Sequence, residues 1–255
     1  MKCFAQTLGD DFALYNGDCI EVVPALPADS VGLTLFSPPF SSLYTYSASV
    51  RDMGNCADDA EFLRSFGFLV PELLRVQKPG RLCIIHTKDL PRYKSSSGAS
   101  GLRDFTGDVL RSMEAHTAAD GSRWVYHSRV TIWKCPVTEM QRTKSHGLLY
   151  KTLRADASFS RQGCPDYLTV FRKWTPGIDS ADPVRHTEDE MPLDLWQRYA
   201  SPVWDDIDQT DVLNATVARA AQDEKHMCPL QLDLIERCLH LWSNPRDVVL
   251  SPFAG

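Results

Sequence analysis

The sequence is short of several things, and each shortage removes a class of protein. No apolar run approaches the roughly 20 residues that a membrane-spanning helix needs, and the first residues carry no apolar core of a secretion signal. The eight cysteines form no CxxC pair and keep no regular spacing. They read as reduced thiols of a cytoplasmic protein rather than a disulfide framework. No internal repeat is visible, which argues against a solenoid or propeller. Positive charge is not in excess: the formal net charge is -6, so the chain is not a generally basic nucleic-acid coat. A local basic face stays open, because local potential matters more than net charge. Lys134, Arg142, Lys144, Lys151, Arg154 and Arg161 are the candidates for one. His226, Cys228, Cys238 and His240 resemble metal ligands in type, but Cys238 and His240 stand two apart on an expected helix and so point to different faces. No metal site is expected.

What is present suits one large α/β domain. The chain has 255 residues, and its 43% hydrophobic fraction is enough for a real core. Val31–Phe36 is a near-continuous apolar run, as expected of a strand buried on both faces. After it, Asp58 and Asp59 open a helix with Phe62, Phe66, Leu69, Leu73 and Leu74 on one side, stopped at Lys78-Pro79-Gly80. Leu82–Ile85 centres a second buried strand, and Phe105–Met113 reads as a helix. Such alternation signals a parallel sheet with crossover helices. Cys19–Leu26 has helical spacing, Lys94–Gly101 reads as a loop, and Trp124–Lys134 and Tyr167–Trp174 read as strands pairing antiparallel at a sheet edge. Residues 175–222 are acidic, Pro-containing and weakly periodic, like an insertion. Leu230, Leu234, Ile235, Cys238, Leu239 and Trp242 then form one apolar stripe, with Pro229 placed for a helix start, and Val248–Leu250 is a last strand.

Two short motifs follow buried strands. Ser37-Pro38-Pro39-Phe40 follows the first. Its prolines fix φ and remove two N–H donors, leaving carbonyl acceptors, a hydroxyl and a flat ring in a rigid loop. That set suits an exocyclic amino group on a planar ring, and a base of duplex DNA must be flipped out to reach it. Pro252-Phe253-Ala254-Gly255 follows the last strand, as a small Gly-containing turn that can cradle a nucleotide-type cofactor.

With these motifs the chain resembles the amino-methylating DNA methyltransferases, whose catalytic tetrapeptide is (Ser/Asp/Asn)-Pro-Pro-(Tyr/Phe). Asn16-Gly17-Asp18, Ser37–Phe40, Lys78-Pro79-Gly80, Trp133-Lys134, Glu224-Lys225-His226 with Pro229, and Pro252–Gly255 match in order. The order is that of the permuted β group. The resemblance implies a Rossmann-like sheet with helices on both faces and S-adenosylmethionine as cofactor. It also implies transfer of a methyl group to the exocyclic amine of a flipped base in double-stranded DNA. Ser37, Pro38, Pro39 and Phe40 would form the catalytic loop. Asp18, Lys225, His226, Pro229, Phe253 and Gly255 would bind the cofactor, and Trp133 and Lys134 would flank the base. Residues 1–174 would be the catalytic part, 175–222 the DNA target-recognition segment with Arg185, Arg198 and Arg219, and 223–255 the start of the cofactor part. In the family the loop continues past the position of Gly255 into a further helix and strand, so the sheet is expected to be incomplete. An inactive DNA-binding fragment is the alternative. Ser in the first position favours N4 of cytosine over N6 of adenine. Carbon methylation needs a Pro-Cys pair, and Cys135, Cys164 and Cys228 stand before proline instead. A methylated RNA or protein amine is the remaining enzymatic alternative. A second copy of the chain and a cognate restriction endonuclease are further partners that the resemblance allows.

Overall fold

The computed structural model describes residues 3–41, 49–143, 146–213 and 230–253. An exposed hairpin, β1 (Ala5–Leu8) and β2 (Ala13–Asn16), leads into a short helix α1 (Cys19–Val22) and a single tighter turn. Strand β3 (Val31–Phe36) is buried at every residue. Helix α2 (Asp59–Val76) and strand β4 (Gln77–Lys88) follow. A hairpin of β5 (Leu90–Arg92) and β6 (Gly101–Arg103) encloses the short α3 (Lys94–Ser97), and α4 (Phe105–Glu114) leads into β7 (Arg123–Ile132). Helices α5 (Pro136–Thr143) and α6 (Tyr150–Ala155) connect it to β8 (Asp166–Trp174). The chain then passes through α7 (Leu193–Tyr199), β9 (Val203–Trp204), α8 (Leu232–Trp242) and β10 (Val249–Leu250). The Ser-rich stretch expected as a loop is therefore partly ordered: Gly98 takes φ 75° and ends α3 in the left-handed conformation that glycine tolerates.

Six strands form the central sheet in the order β10-β3-β4-β8-β7-β9. β3 runs parallel to both β10 and β4, while β8 is antiparallel to β4 and to β7. The expected β7–β8 pairing is present, but β8 is interior and β9 covers β7, so neither strand is the edge. Strand alternation divides the core. Val31, Phe36, Cys83, Ile85 and Phe171 face α2 and α4 with Phe62, Phe66, Leu69 and Leu73. Leu33, Leu35, Ile84, Val170 and Leu168 face the other way, with Leu234 and Cys238 of α8 and with Trp204 and Ile207. Two-sided burial explains why β3 reads as a near-continuous apolar run, broken only by Thr34, whose hydroxyl donates to Gln77 Oε1 at 2.7 Å. Fully burying each large apolar side chain contributes about 1.5–3 kcal/mol.

Buried ionic contacts lock the lower end of the sheet, where β3 and β4 begin. The β3–β4 register shifts between Val31 and Leu33. The Gln77 amide repairs the shift by donating to the carbonyls of Val31 and Gly32, at 3.3 and 3.1 Å. Gly32 has no side chain because the Asp247 carboxylate lies where its Cβ would be. Asp247 binds Arg81 and accepts from the Asn244 N–H at 2.6 Å. Both side chains of the Arg81–Asp247 pair are almost wholly buried. Residues 179–182 close over the same end: the Ala181 N–H donates to the Pro79 carbonyl at 3.1 Å, and Asp182 binds Lys78 at 2.7 Å. Removing one member of a buried pair strands the other charge, at a cost of about 3–5 kcal/mol. Asp247→Ala should therefore lower the unfolding free energy by about that amount in urea denaturation. A loss below about 1 kcal/mol, the upper range of exposed pairs, would show that the pair is not the lock.

Candidate active site

The catalytic-type loop and the Gly-containing turn leave adjacent strands at the same level. β10 pairs with β3 as Val249↔Leu33 and Leu250↔Thr34. Ser37 lies three residues beyond Thr34, and Phe253 lies three beyond Leu250. The Phe253 ring stands 5.5 Å from that of Phe36, immediately before Ser37. Neighbouring strands are about 4.8 Å apart, so 200-odd residues of intervening chain close onto one spot. It is the carboxyl end of parallel strands on either side of a reversal in strand order, where open α/β sheets bind ligands.

The Ser37–Phe40 loop is held from both sides. Ser41, just after it, has φ 52°, an unfavourable left-handed conformation for a non-glycine residue. Its hydroxyl donates to Asp59 Oδ1 at 2.5 Å, and Arg103 binds the same carboxylate at 2.6 and 2.8 Å. The first turn of α2 and strand β6 thus fix the end of the loop. Phe40 packs at 6.1 Å from the His86 ring and edge-on to Phe105 at 5.9 Å.

Behind Ser37 runs a chain of polar groups. His86 Nδ1 lies 3.1 Å from Ser37 Oγ, and His86 Nε2 lies 3.2 Å from Asp166 Oδ2. Lys134 Nζ stands 2.9 Å from Asp166 Oδ2, and Lys88 Nζ donates to Asp166 Oδ1 at 3.2 Å and to Glu139 Oε2 at 2.6 Å. His86 and Asp166 are buried. Burial alone would raise the Asp166 carboxyl, but the His86 hydrogen bond and the charges of Lys88 and Lys134 outweigh it. The carboxyl is held well below the usual carboxylate range. For the Lys88 ammonium, burial is outweighed by Asp166 and Glu139, and its pKa is raised.

This ionisation fixes hydrogen-bond direction. A carboxylate only accepts, so the imidazole Nε2 must carry the proton that it donates to Asp166. In the neutral ring Nδ1 is then an acceptor, and the Ser37 hydroxyl donates to it. Ser37 Oγ is left with its lone pairs. Pro38 and Pro39 have no N–H to offer. The loop is a set of acceptors, complementary to a ligand that brings N–H donors.

Asp18 caps α1, accepting from the Ile20 N–H at 3.0 Å, and lies 3.3 Å from Arg51. It lines a cleft of about 280 Å³ with Ile20, Arg51, Glu61 and Phe68. Ile20 packs into the cluster that holds Phe36, Phe40 and Phe253. The neighbouring Cys19 thiol is pushed up to about 12 by burial and by the charge of Asp18, so it is no nucleophile. Lys134 is buried on Asp166, whereas Trp133 is 47% exposed rather than core. Lys225, His226, Pro229 and Gly255 lie outside the described residues. Of the suspected metal ligands, Cys238 is buried under the sheet while His240 Nε2 meets the Glu190 carbonyl at 2.8 Å, so the two diverge; His226 and Cys228 lie outside the described residues. The described residues contain no cluster of metal-ligating groups and no helix long and apolar enough to cross a membrane.

Sequence reasoning missed His86, Lys88, Glu139 and Asp166. A signal existed: His86 closes an expected strand and Lys88 follows two residues later, hence on the same face of a strand that continues, and Asp166 directly precedes another. Polar alternation at strand ends marks where a sheet meets its site.

The mixed sheet, with two motifs meeting at its carboxyl end, has the fold of S-adenosylmethionine-dependent DNA methyltransferases. In sequence, the chain is related to the Type II methyltransferase M.BamHI of Bacillus amyloliquefaciens, with 21% identity over 252 residues, covering 95% of this chain and 49% of that protein. The chain thus spans about half the length of the curated relative it matches. TTHA0409 of Thermus thermophilus, provisionally assigned as a DNA modification methylase and solved with S-adenosyl-L-methionine, superposes with a TM-score of 0.60 at 20% identity. The match covers 94% of this chain and 79% of that one. The cytosine-N4-specific PvuII DNA methyltransferase matches with a TM-score of 0.58 at 13% identity, over 93% and 72% of the two chains. No protein-family model matches the chain.

The ionised Asp166 has a consequence for stability. Its folded pKa is depressed, so its contribution is present above the unfolded value of about 3.9 and is lost as pH falls toward the folded value. Asp166→Asn should destabilise the protein by about 3–5 kcal/mol at neutral pH. The gap between wild type and variant in urea unfolding should narrow only below about pH 4. A gap independent of pH would contradict an ionised Asp166.

Proposed function

We propose that the chain is an S-adenosylmethionine-dependent methyltransferase acting on the exocyclic amine of a base flipped out of duplex DNA, with N4 of cytosine favoured over N6 of adenine. One observation carries the reading: Ser37, oriented as an acceptor by His86 and Asp166, stands level with Phe253 on the adjoining strand. An amine acceptor and a methyl donor have to meet in this way. The names of the sequence and structural relatives support DNA as substrate. Ser in the first motif position supports cytosine.

The residues present fit a sulfonium methyl donor. The turn at Phe253 opens beside the acceptor loop, with Ile20 and the capped α1 against the same apolar cluster. Asp18 and Phe253 would hold the cofactor together with Lys225, His226, Pro229 and Gly255. When bound, S-adenosylmethionine supplies an electrophilic methyl group. The protein's own work is orientation. Ser37 Oγ accepts one amino hydrogen and the Pro38 carbonyl accepts the other, which aims the nitrogen lone pair. Phe40 gives the base an apolar surface. Such positioning supplies much of the rate of a direct transfer. As the N–C bond forms, the nitrogen must release a proton. Ser37 Oγ takes it while its own hydroxyl proton passes to His86 Nδ1, and Asp166 offsets the charge that results on the ring. No covalent adduct to the base is required.

Ser37→Ala should lower kcat for methyl transfer to DNA by about 100-fold or more, with S-adenosylmethionine binding by calorimetry unchanged within about twofold. Mass spectrometry of nucleosides from treated DNA should show N4-methylcytosine. N6-methyladenine alone would replace cytosine by adenine in this reading, and full activity of the Ser37 variant would remove the proposed role of the loop.

A further inference from the structure

Positive charge is unevenly divided between the two ends of the sheet. Many cations are occupied internally: Lys78, Arg81, Lys88, Lys134 and Arg237 each bind a carboxylate. Arg92, Lys94, Lys151 and Arg154 are exposed and bind no carboxylate among the described residues. These four lie in two segments. Arg92 and Lys94 follow β4 into α3, and Lys151 and Arg154 lie on α6, in the connection from β7 to β8.

The strand registers place both segments at one end. Phe36 pairs with Ile85, Lys88 with Asp166, and Asp166 with Ile132. The end of β4 and the β7–β8 connection are therefore at the end that carries Ser37. Each segment is also tied to the site. In the first, Arg103 of the β5–β6 hairpin binds Asp59, which holds Ser41. In the second, Arg161 donates its N–H to the Gly147 carbonyl at 2.9 Å, and the Cys164 carbonyl accepts from Lys88 at 3.2 Å. Aromatic rings accompany the cations: Tyr93, Tyr150 and Phe159 are 44%, 73% and 47% exposed.

The acidic segment is built differently. Residues 175–213 hold ten carboxylates against Arg185 and Arg198, and Arg198 is bound by Asp206 at 2.9 Å. Its first part sits on Lys78–Arg81. Gly80 is six residues before His86, or about 20 Å along an extended strand. The exposed Arg185 and Arg246 belong to that remote end: the Arg185 backbone N–H meets Asn244 Oδ1, Asn244 in turn reaches Asp182 through its side-chain amide and Asp247 through its backbone N–H, and Arg246 directly precedes Asp247. A polyphosphate would be attracted to one end of the sheet and repelled from the other.

Resting on the reading of the chain as a DNA methyltransferase, we propose that duplex DNA is held across α6 and the β5–α3 segment. Arg92, Lys94, Lys151 and Arg154 contact phosphates at the end of the sheet that carries Ser37, and Tyr93, Tyr150 and Phe159 provide stacking surface. These contacts position the duplex, while sequence is read elsewhere. The acidic segment 175–213 contributes little to affinity.

Salt titration of a fluorescein-labelled duplex with the full chain tests this. The double variants are Lys151→Glu with Arg154→Glu, Arg92→Glu with Lys94→Glu, and, at the remote end where exposed Arg123 opens β7 opposite Trp174, Arg123→Glu with Arg246→Glu. Thermal unfolding checks that each variant stays folded. Each of the first two should weaken binding at least about tenfold and reduce the slope of log K against log salt by about 2. The third should stay within about twofold of wild type. Duplex binding by wild type that is lost only in the third variant, or equally in all three, overturns the proposed surface alone. A wild type that binds no duplex at low salt overturns the DNA reading, and this inference with it.

Discussion

The ionised carboxylate of Asp166 is the constraint on which the site depends. It is buried against Lys88 and Lys134, and a buried carboxylate stays charged only when such partners and hydrogen bonds offset its lost hydration. Once charged, it can only accept. That sets the imidazole of His86, which sets the hydroxyl of Ser37, which makes the loop a set of acceptors. Three strands supply the parts: His86 and Lys88 end β4, Asp166 begins β8, and Lys134 follows β7. The antiparallel placement of β8 between β4 and β7 brings those ends together.

The sheet performs a second task by joining the ends of the chain. β10 pairs in parallel with β3 and sets Phe253 beside Phe36. At the lower end, Arg81 and Asp247 fix this pairing, and Asp247 fills the space that Gly32 leaves open. The two ends of the sheet thus have separate work. One is locked by internal ion pairs and covered by an acidic segment. The other carries the acceptor loop and exposed, unmatched cations. A net negative charge is compatible with a nucleic-acid partner when the positive charge is gathered in this way.

Much of the scaffold was legible in the sequence. Val31–Phe36 coincides with β3, and the Phe62–Leu74 stripe is the buried face of α2. Such strands and helices are readable because burial imposes their period. The acceptor loop was legible because two adjacent prolines after a buried strand are chemically specific. The neighbours of Ser37 were not, because His86 and Asp166 are 80 residues apart in sequence and meet only through strand order. Asp18, expected at the cofactor, caps α1 in the structure, and that cap role alone does not separate scaffold from site. Residues 175–222 read as a separate insertion, yet Trp204 and Ile207 join the main core and Asp182 binds the start of β4. Low periodicity hid those contacts, because ion pairs and isolated anchors leave no repeating pattern.

The central claim is that Asp166 fixes the tautomer of His86 and so makes Ser37 an acceptor toward ligand. Long-range proton–nitrogen NMR correlation of ¹⁵N-labelled His86 reads this directly, without substrate or cofactor. The account predicts a protonated Nε2 and an unprotonated Nδ1 at neutral pH, with that preference lost in Asp166→Asn. A neutral ring protonated on Nδ1 in the wild type would contradict it, because Ser37 would then accept from His86 and lose the orientation argued for it.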